Sequence, residues 1–288
     1  MKMKKWQKIL GLIAIIGLSF SLASCGSSSS KSSDDSDNPS SVDAIKKRGK
    51  IRIAVFGDLS PYGYLDAEGN NQGYDVYLAK RIAKDLLGSE DKVEFVVVNA
   101  EERVDALKSN KVDLVLANFT KTAEREKVID FANPYMKVSV GVVSLKSNPI
   151  TSVNQLKDKS VIVNKGTTAE QYFTKEQPDV TLEKYESKTQ QFQALTDGRA
   201  DALADDNSYL YAWVKENPDY EVGIKELGEV STINPGIKKG NKSLLDWTNK
   251  ELEKLGEEKF FEADYNATLK DFFGSDIKAE DIVLEGKE

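Results

Sequence analysis

Short apolar runs alternate with stretches of helical period along most of this chain, and few folds satisfy that alternation. Residues 51–55, 93–98 and 112–117 read as buried strands. Between the first two, residues 74–87 put Val76, Ala79, Ile82, Ala83 and Leu86 on one face, with Asp75 near the start and Gly88 as the stop. Residues 103–108 read as a further helix, and Thr122 as the N-cap of a helix that begins Glu124-Arg125. This β-α-β-α-β order predicts a parallel sheet with helices on both faces. The order then recurs. A helix is expected near 153–156, strands over 160–163, 181–185 and 202–204, and helices over 169–173, 189–196 and 208–215. Extended segments over 138–144 and 232–237 bracket that second set, and 244–255 and 257–272 are helical, with Trp247, Phe260, Phe261, Tyr265 and Phe272 for packing. The predicted fold class is α/β: two lobes, each a mainly parallel sheet flanked by helices, joined by a two-strand hinge. Lobe 1 is expected over 42–137, the hinge strands and lobe 2 over 138–234, and a return to lobe 1 over 235–288.

The first residues stand apart from this pattern. Lys2, Lys4, Lys5 and Lys8 precede an apolar stretch over 9–23 that ends in small residues, which is the form of a secretory signal over 1–24. That stretch is shorter than the roughly 20 apolar residues a spanning helix needs. Cys25, the only cysteine, follows Leu22-Ala23-Ser24, so no intramolecular disulfide is possible. Residues 26–41 are nearly all Ser, Asp, Lys, Asn, Gly and Pro. Such a segment cannot bury a core, and 25–41 reads as a flexible tether.

Composition excludes several chemistries. The chain has no histidine, which rules out Ser-His-Asp and Cys-His catalysis and histidine metal sites together. The acidic run Asp34, Asp35, Asp37 lacks the glycine and distal glutamate of a calcium loop. Residues 236–243 resemble a phosphate loop only faintly, without the Gly-Lys adjacency. No metal or cofactor is expected. The formal charge is −7, and removing 1–24 takes away four lysines and no acid. An acidic surface argues against nucleic acid as a partner.

Three strand-to-helix loops remain as candidates for binding, because open α/β sheets place ligands beyond the carboxyl ends of their strands. In the first, Arg125 offers a planar fork of donors for a carboxylate and Thr120 a hydroxyl; a surface ion pair with Glu124 or Asp130 is the plainer reading of the same arginine. In the second, Gly166-Thr167-Thr168 fits an ordinary capping box and equally a helix N-terminus open to an anion. In the third, Asp206 is an N-cap by residue type or the partner of an ammonium. Taken together, the loops complement the main chain of an amino acid.

These stretches carry a family resemblance. Pro61-Tyr62-Gly63-Tyr64, Gly73-Tyr74-Asp75-Val76, Lys111-Val112-Asp113, Thr120-x-Thr122-x-Glu124-Arg125, Asp130-Phe131-x-x-Pro134-Tyr135, Asn164-Lys165-Gly166-Thr167-Thr168 and Asp201-Ala202-Leu203-x-x-Asp206 resemble the amino-acid-binding proteins of ABC importers, family 3 extracellular solute-binding proteins. The resemblance implies the type II periplasmic-binding-protein fold. It implies that Arg125 binds the ligand α-carboxylate with backbone N–H groups at Thr120 and Thr168, and that Asp206 binds the α-ammonium with Thr120 and the Asn118 carbonyl. Ala100 departs from members with an aromatic there. Arg103, Tyr62, Asn164 and Lys165 are placed at the distal end of the cleft. Arg103 also suits an acidic ligand side chain, or a plain surface position.

The run from Asn164 to Phe173, Tyr211-Ala212-Trp213-Val214-Lys215, residues 223–228 and Tyr265-x-x-Thr268-Leu269-Lys270-x-x-Phe273-Gly274 are most similar to the cysteine-binding subgroup. Leu-Ala-Ser-Cys25 resembles the bacterial lipoprotein box, which implies lipidation of Cys25 and an extracytoplasmic protein anchored to the cell membrane. The expected function is capture of a free polar L-amino acid, cysteine first and glutamate or aspartate next. Delivery is to a membrane permease and, indirectly, its ATPase, by a monomer and without catalysis. The alternatives are a cyclohexadienyl or arogenate dehydratase on the same scaffold, or an amino-acid sensor or adhesin.

Overall fold

The strands that the apolar runs predict do form, one of them in shortened form, and two long strands link the lobes. The computed structural model describes residues 38–273 and 277–287. The predicted signal segment, Cys25, the tether up to residue 37 and Gly274 lie outside the described residues. In chain order the strands are β1 (Ile51–Val55), β2 (Asp58–Leu59), β3 (Gly63–Leu65), β4 (Asn71–Gln72), β5 (Val93–Val97), β6 (Leu114–Val115), β7 (Ile129–Phe131), β8 (Met136–Leu145), β9 (Ser160–Asn164), β10 (Thr181–Tyr185), β11 (Ala202–Asp206), β12 (Tyr220–Ile233) and β13 (Gly236–Lys238). The helices that frame them include α1 (Val42–Arg48), α2 (Tyr74–Leu87), α3 (Arg103–Lys108), α4 (Ala123–Glu126), α5 (Thr168–Glu176), α6 (Lys188–Thr196), α7 (Asn207–Glu216) and α8 (Lys242–Glu257).

The first sheet has the order β5-β1-β6-β13-β7. Its first three strands are parallel, and β13 enters antiparallel between β6 and β7. Ile51, Ile53, Ala54 and Val55 are all buried, as a strand covered on both faces must be. The second sheet has the order β10-β9-β11-β8-β12, with β10, β9 and β11 parallel and β8 antiparallel to both neighbours. The long strands β8 and β12 pair from Met136 with Ile233 out to Leu145 with Tyr220, so both leave the first lobe side by side. The tail returns to that junction. Leu284 N–H donates to the Tyr135 carbonyl, and Phe261 stacks on the Tyr135 ring with centroids 6.3 Å apart.

Three differences from the sequence reading have physical causes. The apolar run 112–117 is buried throughout, yet only Leu114–Val115 pairs as strand. Beyond it Arg103 takes the Ala117 and Asn118 carbonyls, Asp75 takes the Asn118 N–H, and Asn118 turns to φ 44°. Side chains have claimed the groups a ladder would use. Residues 220–231 carry no strand pattern in the sequence, because Glu221, Lys225, Glu226, Gly223 and Gly228 hide an exposed edge; there the register shifts repeatedly, and a Cβ at Gly223 would stand 2.2 Å from the Ile150 carbonyl oxygen. The loop 58–72 contains a small three-stranded sheet, β2-β3-β4.

The segment expected as a tether, 25–41, overlaps the globule at its end. Ser40 and Ser41 belong to the globule: Ser40 Oγ donates to Asp113 at 2.6 Å, and Ser41 caps α1. Asp113, fully buried, also pairs with Arg52 at 2.8 Å and with Arg48, which gives the chain a reason to be pinned there.

Candidate functional site

Arg125 sits in the first turn of α4, where Thr122 Oγ accepts the Arg125 N–H and so sets the helix start. Its guanidinium donates to the Thr120 carbonyl at 2.5 Å within lobe 1 and to the Gly166 carbonyl at 2.8 Å in lobe 2. Arg103, at the start of α3, converges on the same oxygen. It donates to Gly166 at 3.1 Å and to the Ala100, Ala117 and Asn118 carbonyls at 2.8, 3.0 and 3.1 Å. Both guanidinium groups lie against the Phe119 ring, 4.5 Å from its centroid for Arg103 and 4.7 Å for Arg125.

From the opposite lobe, β11 ends at Asp206. One carboxylate oxygen accepts Asn118 Nδ2 at 2.8 Å across the lobes, and the other accepts Thr168 Oγ at 3.4 Å. Thr167 caps α5, accepting the Glu170 N–H and donating to the Asn164 carbonyl at 2.6 Å. Thr168 follows as the first helical residue, and its N–H has no intrahelical acceptor. Gly166 is in the left-handed region at φ 74°, and a Cβ there would stand 2.6 Å from the Glu101 Cα. The two lobes are closed on one another.

The walls of the closed cleft are Phe56, Arg103, Asn118, Thr120, Arg125, Thr167, Thr168, Lys188, Asp205 and Asp206, around ≈ 10 Å³ of free space, about the room one water needs. Asn118, Thr120, Arg125, Thr168, Asp206 and Arg103 are thus brought together. Tyr62 and Asn164 are not among the walls. Tyr62 is fully buried with its ring edge-on to Tyr74, and Asn164 Nδ2 donates to the Tyr185 carbonyl, tying β9 to β10. Lys165 turns away to Glu186 at 2.7 Å.

Sequence reasoning missed Phe56, Lys188 and Asp205 as cleft residues. Lys188 Nζ pairs with Asp205 at 2.5 Å, and Gln191 Nε2 donates to the same carboxylate at 2.6 Å. The signal available was weak: a lysine after Ser187 reads as the first residue of a capped helix. Asp75 lies behind the cleft, accepting the Asn118 N–H at 2.7 Å and the Tyr135 hydroxyl at 2.6 Å.

Burial dominates the electrostatics. It pushes Asp206 up to about 6, with the like charge of Asp205 adding, while Lys188, Arg103 and Arg125 oppose it. It also pushes Asp75 to about 6, opposed by its hydrogen bonds from Tyr135 and Asn118. Arg125 is lowered by burial to about 10, with Asp206 acting the other way, and stays charged at neutral pH. Arg103 is lowered by burial and by the neighbouring Arg125. Among the described residues no glutamate lines the cleft; Glu170 holds the Gly166 N–H and Lys184, and Glu124 is exposed.

Known proteins share this fold. Residues 51–271 match the family model of bacterial extracellular solute-binding proteins, family 3. The structure of the L-cysteine solute receptor of Neisseria gonorrhoeae is 53% identical with a TM-score of 0.84, covering 85% of this chain and 99% of that one. The cysteine-binding protein of Campylobacter jejuni is 54% identical with a TM-score of 0.83, covering 84% and 98%. The glutamine-binding protein of Geobacillus stearothermophilus is 35% identical over 235 residues, 77% of this chain and 89% of its own length. These relatives are binding proteins rather than enzymes, and by its sequence and its fold the chain belongs to the bacterial extracellular solute-binding proteins, family 3.

Proposed function

We propose that the chain captures a free polar L-amino acid between its lobes for an ABC importer, with L-cysteine as the first candidate and glutamate or aspartate next. The observation that carries this reading is the opposition of Arg125 and Asp206, one from each lobe, on a single closed cleft. Arg125 receives the α-carboxylate with the N–H groups of Thr120 and Thr168. Asp206 receives the α-ammonium with Thr120 and Asn118. Burying a zwitterion without such partners costs several kcal/mol per charge, so a matched pair at each end is what the ligand requires. Cysteine is favoured on two grounds: the 53% and 54% identical relatives bind it by name, and the cleft has little room for a long side chain.

In this reading both lobes contact the ligand only when closed, so the ligand shifts the population toward the closed form, which a permease then recognises. Cys25 carries the lipid that holds the monomeric protein to the membrane. The test is isothermal titration of the purified protein with a panel of the common amino acids. Submillimolar binding of at least one polar L-amino acid, lost in Arg125→Ala, is expected. Binding that Arg125→Ala leaves within a few-fold of wild type would overturn the assignment.

A further inference from the structure

Resting on that reading, we infer that the cleft takes its ligand's side chain as an anion held at Arg103, so that L-cysteine enters the closed form as the thiolate and gives its thiol proton to the solvent. Arg103 is 3% exposed and Arg125 6%, yet among the described residues every hydrogen bond of either guanidinium goes to a backbone carbonyl. Among the described residues no carboxylate stands within ion-pair distance of either. Carbonyl dipoles position such a group but do not cancel its charge, and buried charges are as a rule paired.

The acids nearby are otherwise engaged. Asp205, at the end of β11, is taken by Lys188 and Gln191 from α6. Asp206 beside it is held by neutral donors, Asn118 and Thr168, and is the group left for the ammonium. Asp75, on α2, is turned to the Asn118 N–H and the Tyr135 hydroxyl. Glu170, on α5, takes the Gly166 N–H and Lys184. The charged walls of the cleft are therefore Arg103, Arg125 and Lys188 against Asp205 and Asp206, an excess of one positive charge. A zwitterion adds none. Once its carboxylate is on Arg125 and its ammonium on Asp206, Arg103 is the cation still without a counter-charge. A short anionic side chain supplies it. The free thiol of cysteine ionises near about 8.5, and adjacent cations lower that value. The step is a simple acid dissociation: the S–H bond breaks, the electron pair stays on sulfur beside the guanidinium, and the proton leaves to buffer.

The experiment is calorimetric titration of the purified protein with L-cysteine, in the presence of a reductant, at pH 7.0 and 8.0. This window lies above the range in which Asp75 and Asp206 titrate. Each pH is run in two buffers of different ionisation enthalpy, which gives the number of protons released. Release of nearly one proton at pH 7.0 is expected, with a Kd about eightfold lower at pH 8.0, following the thiolate fraction of the free ligand. Arg103→Gln should remove both effects, and Arg103→Lys should restore the proton release. Cysteine binding with a flat Kd and no proton released would overturn the inference while leaving the amino-acid reading intact, and would assign Arg103's charge to the field of Asp75. Aspartate is the second probe. Tight binding of aspartate in place of cysteine supports an anionic side chain at Arg103, whereas binding of neither, with a neutral amino acid bound instead, overturns it. No binding of any amino acid sinks the site reading itself.

Discussion

Asp58 of lobe 1 accepts the backbone N–H of Lys188 of lobe 2 at 2.9 Å, across 130 residues of chain. The same oxygen accepts Ser187 Oγ at 2.8 Å and the Thr189 N–H at 3.3 Å, so one lobe supplies the acidic cap for α6 of the other. A carboxylate at a helix N-terminus is favoured by the unpaired N–H groups and the helix dipole. Because Asp58 itself is not among the cleft walls, it should favour closure without touching a ligand. Asp58→Ala should weaken amino-acid affinity about fivefold, the equivalent of the about 1 kcal/mol that a cap contributes, with the order of preference among amino acids unchanged. A changed preference in a calorimetric panel would place Asp58 at the ligand instead.

Gly166 limits how closely the lobes can meet. Its left-handed φ and the 2.6 Å approach of an added Cβ to the Glu101 Cα predict that Gly166→Ala holds the lobes apart. We expect affinity at least tenfold weaker, and a larger radius of gyration by small-angle scattering in the presence of the ligand. The unfolding free energy should drop by no more than about 1–2 kcal/mol, the cost of a left-handed alanine, because the clash is with the other lobe and opening relieves it.

Asp206 gives a stability prediction with a definite sign. Its folded value, raised to about 6 by burial and Asp205, exceeds the unfolded value of about 3.9. The folded state therefore binds the proton more tightly, and this group's contribution to stability is greatest at low pH and is lost as pH rises from about 4 to 6. Asp206→Asn, which resembles the protonated acid, should have its largest advantage in thermal midpoint over wild type above pH 7. That advantage should shrink as the pH falls to 4. A midpoint difference that is constant across the range would show that Asp206 is not raised.

The same titration bears on binding. An ammonium partner must be ionised, so ligand affinity should fall as pH drops from 7 to 5, and Asp206→Asn should bind weakly at every pH. Removing one partner of a buried charge pair costs about 2–5 kcal/mol, or a loss of affinity of at least about thirtyfold. Equal affinity at pH 5 and pH 7, read by calorimetry, would remove Asp206 from the ammonium end.

Cys25 lies outside the described residues and is tested in cells. Cys25→Ser should move the protein from the membrane fraction to the soluble extracytoplasmic one, while leaving the purified globular part's ligand affinity unchanged. Retention in the membrane fraction would argue for another anchor.

Much of the fold was legible because its signals are local. The helices Tyr74–Leu87 and Arg103–Lys108 have the bounds their apolar spacing predicts, and Thr122 and Thr167 cap where their hydroxyls allow. The long strand β12 was not legible, since an exposed edge rich in Glu, Lys and Gly lacks the alternation that marks a half-buried strand. Nor was Lys188, whose buried position is set by Asp205 on another element.

From the chain alone came the α/β class, the division into two lobes and the residue types that suit a zwitterion, because periodicity, caps and charge are properties of neighbours within a few positions. Only the tertiary structure decided which of those residues face one cleft. It set Tyr62 and Asn164 behind the walls, brought Phe56 and Lys188 into them, and directed Arg103 and Arg125 to one carbonyl at Gly166. The two arginine contacts span 63 and 41 positions, and no local pattern encodes a meeting that depends on how two lobes close.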